Sequence, residues 1–306
     1  MKLYCIFVLI FGSLSCSQAN AAGEQIIDAI MRSDFVFDRN ISNVPFLPLS
    51  YLQFSENNSL EIEGDCAGIS CDFSYQSISQ GLGLPVWVGQ KHMLILGESL
   101  ESDEIKYRGE KYRINSAGII GAWLVQPSRD WQAGAFIYAY QGFGEGDLAR
   151  EPKGSVSGVV SRFRHQPKFH SYWGFVRLQE YDDVVVYPYA GFDWLVGLEW
   201  SISALLPWPT VSYAPTKNRL FKAGALFSGS QWVADGNEQL LNNSFEKVDF
   251  GLAFEQRIRS MLWGELSVGY SGFGKVSIES SSELVFEGDI ASAPYIRFSL
   301  NLRPES

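Results

Sequence analysis

Through the second half of this chain, apolar and polar residues change places at every step, for ten residues or more at a stretch. Over 247–257, Val248, Phe250, Leu252 and Phe254 share one face, and Lys247, Asp249, Glu255 and Arg257 share the other. Leu262, Leu266, Val268 and Tyr270 alternate with Glu265, Ser267 and Ser271. Leu198, Trp200 and Ile202 alternate with Glu199 and Ser201, and Phe298 and Leu300 alternate with Arg297 and Ser299. Side chains of a strand point to opposite faces in turn, so each segment builds a sheet with one apolar and one polar face. Ordinary strands average about five or six residues. A tilted strand needs roughly 9–11 to cross a bilayer. These strands have the longer dimension.

The connections repeat as well. Twelve strands are expected, near 84–97, 115–126, 131–142, 154–166, 169–181, 183–193, 197–206, 208–214, 218–230, 245–257, 261–279 and 289–302. Long or polar links (98–113, 144–154, 231–244) alternate with tight ones at 127–129, 166–168, 215–217 and 258–260. Outer-membrane barrels join their strands with short periplasmic turns and longer outer loops. A bilayer offers no water to a bare N–H or C=O, so a sheet can cross it only when closed on itself. The expected fold is all-β: an antiparallel transmembrane barrel of about twelve strands, preceded by a short irregular N-terminal segment.

Composition agrees. Gly numbers 29 of 306 residues, aromatics make up 14% and charged residues only 19%. The net charge of −10, without a basic stripe, argues against nucleic acid, whose phosphates need Lys and Arg. Met1-Lys2, the apolar run 3–14 and Ala19-Asn20-Ala21 read as a secretory signal, cleaved after Ala21. The expected organisation is signal peptide 1–21, a periplasmic or plug-like segment 22–70, and a barrel from 71 to 306. Cys66 and Cys71 remain in the exported chain and read as a small disulfide loop.

Facing follows from the alternation. Leu198, Trp200, Ile202, Val248, Phe250, Leu252, Phe254, Leu266, Val268, Phe298 and Leu300 are expected to face lipid. Arg177, Glu199, Lys222, Lys247, Asp249, Glu255, Arg257, Glu265 and Arg297 are expected to face the lumen. Their mixed signs read as a salt-bridge network, with a weakly selective pore as the alternative. On this reading Leu252→Arg costs ~2–4 kcal/mol, and Asp249→Asn much less. Trp131, Trp173, Trp194, Trp208, Trp232, Trp263 and Tyr295 sit near strand ends, where membrane interfaces favour Trp and Tyr.

No hydrolase, Walker or dinucleotide motif occurs. His165 and His170 flank a tight turn and read as solvated. His92, with Asp103 and Glu104, makes too loose a constellation for a triad. No cofactor is expected, and the chain is not expected to be an enzyme.

The order of segments over 187–302 carries a resemblance. YPYAGFDW is followed by SISALLP, PTVSYAP and FKAGALFSGSQW. After a long link come VDFGLAFEQRI and WGELSVGYSGF. This order resembles the bacterial outer-membrane family known as domain of unknown function 6268, and implies an outer-membrane barrel with no assigned catalytic or binding residue. The chain departs from a common barrel pattern at its end, where IRFSLNL is followed by Arg303-Pro304-Glu305-Ser306. The expected setting is the Gram-negative outer membrane, with its lipid, lipopolysaccharide and barrel-assembly machinery as partners. The expected role is passive passage of small solutes or envelope structure. A barrel enzyme acting on lipid or surface peptide, and a soluble exported protein with a ligand cavity, are the rival readings.

Overall fold

The computed structural model describes residues 33, 35, 42–45, 48–63, 72–107, 110–145, 148–150, 153–180, 183–205, 209–236, 239–280 and 283–303. The expected signal peptide 1–21 and the disulfide expected between Cys66 and Cys71 lie outside them. Sixteen strands are formed: β1 (Ser50–Glu63), β2 (Asp72–Val88), β3 (His92–Tyr107), β4 (Glu110–Ser128), β5 (Trp131–Glu145), β6 (Leu148–Arg150), β7 (Lys153–Gln166), β8 (Phe169–Glu180), β9 (Asp183–Val196), β10 (Trp200–Ser203), β11 (Thr210–Thr216), β12 (Arg219–Gly236), β13 (Gln239–Arg259), β14 (Leu262–Ser280), β15 (Glu283–Ile290) and β16 (Ala293–Leu302).

From β1 to β14 each strand pairs antiparallel with its neighbours in the chain, apart from the short β6, which lies against β12 so that β5 pairs with β7. β1 then pairs with β16, from Ser50↔Leu302 to Asn57↔Tyr295, and β16 pairs with β14. These pairings close the sheet. β15 and β16 are one returning strand, interrupted at 291–292 between Gly274↔Ile290 and Ser271↔Ala293. With β15 and β16 counted as that one strand and β6 left out, fourteen strands form a closed barrel. Closure leaves no edge N–H or C=O exposed.

The strand count corrects the expected twelve. The barrel begins at Ser50, inside the segment 22–70 that the sequence reading left outside it. The expected strand 84–97 contains the turn at 89–91 and gives way to β1, β2 and β3. Two of the expected long links are strand as well. Tyr107 pairs with Glu110, and Gly236 pairs with Gln239. β1 and β2 were hidden because they are rich in Ser, Gln and Asn: Gln53, Ser55, Asn57, Gln76, Ser77 and Ser79 dilute the alternation. Their partners, not their own hydrophobicity, make them strands.

Ser50 and Leu302 lie at the end of the barrel that carries the turns at 89–91, 129–130, 167–168, 197–199, 217–218 and 260–261. Near that end the outward face carries a row of rings. Trp87 and Trp123 flank His92 at 6.4 and 5.7 Å, and Trp131 stacks on Phe163 at 6.2 Å. Trp200, Tyr213, Phe221 and Phe254 follow across four strands at 4.5, 6.3 and 5.1 Å. Above this row the wall is apolar and exposed, with Ile119 at 71%, Phe175 at 65% and Leu252 at 64%. Higher again, Lys106, Lys111 and Arg113 surround Glu104, the nearest at 2.7 Å. An apolar belt between aromatic and charged bands is the layering a bilayer selects.

Candidate functional site

The site is the lumen, and its wall has two unlike sides. On one side, β12–β14, β16 and β1–β3 send charged and amide side chains inward, and these form two clusters. The lower cluster joins β12, β13, β14 and the end of β16. Lys222 Nζ lies 2.6 Å from Glu255 and 2.9 Å from Glu265. The Arg303 guanidinium donates two hydrogen bonds to Glu255, from Nε at 3.0 Å and from Nη2 at 2.9 Å. Asn301 Nδ2 donates to Glu265 at 3.3 Å. Glu255 is fully buried. A planar fork on a carboxylate is the strongest common form of ion pair. Arg303 belongs to the tail that looked anomalous in the sequence. Its inward side chain supplies the counter-ion that Glu255 needs.

The upper cluster sits six residues along β13, ~20 Å of strand. Lys247 Nζ donates to Asp249 at 2.8 and 3.1 Å and to Asn57 Oδ1 at 2.7 Å. Arg297 Nη2 donates to the other Asp249 oxygen at 2.8 Å, and Ser271 also donates to Asp249. Lys247 lies over the Tyr75 ring, whose hydroxyl donates to Asp103 at 3.0 Å. Asn57, Ser271 and Asp249 are fully buried. Buried charges are tolerable only when paired and hydrogen-bonded, and every cation here meets a carboxylate.

On the other side, β4, β5, β7, β8 and β9 are apolar on both faces. Their inward positions hold Ile120, Ala122, Leu124, Phe136, Tyr138, Tyr140, Val156, Val160, Val176, Leu178, Val185, Tyr187 and Tyr189. The inward direction follows from register, because the intervening Ile119, Ile137, Val159 and Phe175 are the exposed outer wall. Most of the inward set is half-buried, and Val185 and Tyr187 are 43% and 50% exposed. Tyr138 and Tyr140 stack at 5.7 Å, and Tyr138 shares a 3.0 Å hydrogen bond with Ser99. The Tyr138 ring lies diagonally over Gly118, the cross-strand partner of Tyr140, where a Cβ would lie 2.4 Å from the ring. At the turn end this side becomes polar: Arg162 donates to Gln132 at 2.7 Å, and Gln132 donates to Gln126 at 2.6 Å.

Residues 42–45 reach the turn end of the lumen. Asn43 N donates to the Leu198 carbonyl at 2.7 Å, and its side chain donates to the Ala214 carbonyl at 3.2 Å. Val44 is buried with Ala214, Leu220 and Trp263.

Most expected lumen charges fall in the clusters: Lys222, Glu255 and Glu265 in the lower, Lys247, Asp249 and Arg297 in the upper. The other three do not. Arg257 caps the 260–261 turn, donating to Ser260 O at 2.6 Å, and Glu199 lies in the turn before β10, its carbonyl accepting from Ala214. Arg177 stands opposite Ser157 and Val186, on the same face as the exposed Phe175, so it points outward. It donates to Gln179 at 2.9 Å there. The sequence reading missed this because β8 is apolar on both faces and its alternation does not say which is inside.

Of the residues expected on the lipid side, Leu198, Trp200, Phe250, Leu252, Phe254, Leu266, Val268 and Phe298 are exposed on the outer surface, and Ile202 and Leu300 are half-buried there. Val248 is buried instead. It adjoins the register shift between Glu246 and Val248, where β13 and β14 bulge. Trp131, Trp173 and Trp194 are on the outer wall, but Trp263 and Tyr295 are buried on the inner face. The Trp208 and Trp232 side chains lie outside the described ones. His92, stacked between tryptophans at the turn end, is eleven residues along β3 from Asp103. His165 bonds to Ser171 on the outer face, whereas His170 is buried opposite Arg164 and Asp193 on the inner face. The two therefore cannot share a ligand, and His170 is not the solvated residue expected. No group of three or more His, Cys, Asp or Glu able to hold a metal occurs among the described residues.

No family model matches the chain, and no curated protein matches it. Among solved structures it is similar to the CymD monoaromatic hydrocarbon channel, with 9% identity and a TM-score of 0.41 over 85% of this chain and 90% of that one. It is also similar to a TodX monoaromatic hydrocarbon channel mutant, with 7% identity and a TM-score of 0.36 over 85% and 91%. The translocator domain of autotransporter NalP from Neisseria meningitidis is similar at 8% identity and a TM-score of 0.36 over 96% and 99%. Likenesses this distant carry no argument about function, and the barrel rests on its own strand pairings.

Proposed function

We propose that this chain resides in the outer membrane of a Gram-negative bacterium as a passive channel for small solutes. The membrane setting is supported by the outer wall. A soluble protein would hold Ile119, Phe175, Leu252 and many neighbours in water, at ~25 cal/mol for each Å² of apolar surface. Two features support the orientation, with both termini periplasmic: an even number of strands, and tight turns at the end where Ser50 and Leu302 meet. Cleavage of the first 21 residues, delivery by the barrel-assembly machinery and membership of the domain of unknown function 6268 family belong to the same proposal.

The observation that carries the channel reading is the asymmetry of the lumen. A fourteen-stranded ring is wider than the eight-stranded kind that side chains just fill. Here one side is packed by ion pairs while the other leaves Val185 and Tyr187 exposed. Residues 42–45 narrow the periplasmic mouth on the packed side through Asn43 and Val44.

Planar-bilayer recording tests this. Folded protein, verified by heat-modifiable migration, is expected to give discrete conductance steps. Val44→Asp places a charge among Ala214, Leu220 and Trp263, and is expected to release the segment and enlarge the steps. A folded barrel that conducts in neither form would overturn the channel in favour of a structural envelope protein.

A further inference from the structure

The lumen also carries information about what passes. We infer that the β4–β9 side of the lumen is a binding surface for small apolar or aromatic molecules, so that the channel's solutes are hydrophobic. This inference rests on the channel reading and names its solute class.

Three observations lead there. The first is that this side breaks the rule of its own fold. Barrel strands alternate apolar-out with polar-in because the lumen is wet. β5, β7, β8 and β9 instead present Phe136, Tyr138, Val156, Val176, Val185 and Tyr187 inward, while the outward residues of β5 and β9 are equally apolar. Register places Phe136, Gly158, Val176 and Tyr187 in one row across four strands, and Tyr138, Val156, Leu178 and Val185 in the next. The surface is therefore continuous in two directions. Between Glu180 and Asp183 at the outer end and Arg162 toward the periplasmic turns, no charged residue of these strands occupies an inward position.

The second observation is that the charge in the middle of the lumen lies on the opposite side, where Glu101 and Asp103 accept from Ser77 and Tyr75 and the cations are already taken up. The opposite side binds its own cations to its own carboxylates, Lys222 and Arg303 to Glu255, Lys247 and Arg297 to Asp249. Paired charges create little net field to select a sign. The third is access. Val185 and Tyr187 are about half exposed although they face an enclosed space. The wall around them excludes a protein partner, so the occupant is small. Burying apolar area on this surface stabilises the complex as burial does in any apolar pocket, and tyrosine rings add offset stacking for an aromatic guest.

Equilibrium dialysis of radiolabelled toluene against the full chain in nanodiscs tests the inference, with empty nanodiscs subtracted for partition into lipid. Wild type is expected to show a saturable component. Val185→Glu combined with Tyr187→Glu sets two carboxylates on the surface and is expected to weaken it by at least about tenfold. Should that variant lose heat-modifiable migration, Val185→Ser with Tyr187→Ser is read instead, with a loss of about fivefold expected. Toluene binding that does not saturate, or that persists unchanged in the folded variant, would overturn the inference. Displacement of toluene by excess glucose would also overturn it, because the rings would then be stacking on sugars. Bilayer conductance of the same preparations separates the two proposals. Conductance without saturable toluene binding sinks the hydrophobic solute alone, and absence of conductance sinks the channel itself.

Discussion

The two sides of this lumen solve the same problem in opposite ways. Both must line a closed sheet whose outer surface is greasy. The β12–β3 side fills its space with charges that satisfy one another: Glu255 is fully buried yet held by Lys222 and Arg303. The β4–β9 side leaves space and lines it with Val, Phe and Tyr. The difference shows that a barrel interior need not be uniform. One sector is held together by ion pairs while the facing sector keeps apolar side chains half exposed. Removing any member of an ion pair strands its partner. Half-exposed apolar side chains give up little when altered.

That contrast can be broken by measuring folding free energies in lipid vesicles by urea titration. The largest effect is expected from Glu255→Gln, which leaves Arg303 buried without its counter-ion and Lys222 with Glu265 alone, and costs about 3–5 kcal/mol. A cost near zero would show that the packed side is not held by charge. Asp249→Asn strands Lys247 and Arg297 in the same way and belongs in the same range. This reverses the expectation from sequence, under which Asp249→Asn would cost much less than Leu252→Arg. Leu252→Arg follows at ~2–4 kcal/mol, since it sets a charge on the exposed outer wall. A smaller loss, about 1 kcal/mol, is expected for Tyr138→Phe, which removes the bond to Ser99. Val185→Ser, at a side chain already half exposed, is expected to change stability by no more than about 0.5 kcal/mol. If the Val185 change cost as much as the Glu255 change, the two sides would not differ in the way described.

The barrel class was legible because its signal is local. Phe250, Leu252 and Phe254 against Asp249 and Glu255 declare a two-faced strand without reference to any other segment. The signal failed where both faces had the same character. β1 and β2 are polar on many positions of both faces, so two strands were missed and the barrel appeared to begin at 71 instead of Ser50. β8 is apolar on both faces, so Arg177 was placed on the wrong one. At Val248 the local rule held in sequence and was overruled by a bulge formed with β14.

The sequence alone determined that long strands with one greasy face would form, because side-chain direction in a strand depends only on the residue's position along it. Tertiary structure decided which carboxylate meets which cation, that Arg303 completes the Glu255 cluster, and that one sector of the lumen is packed by ion pairs while the other is lined by half-exposed apolar side chains. Those outcomes depend on closure, which sets Asn57 beside Lys247 across 190 residues of chain. No periodicity within one strand encodes the identity of a neighbour so far away.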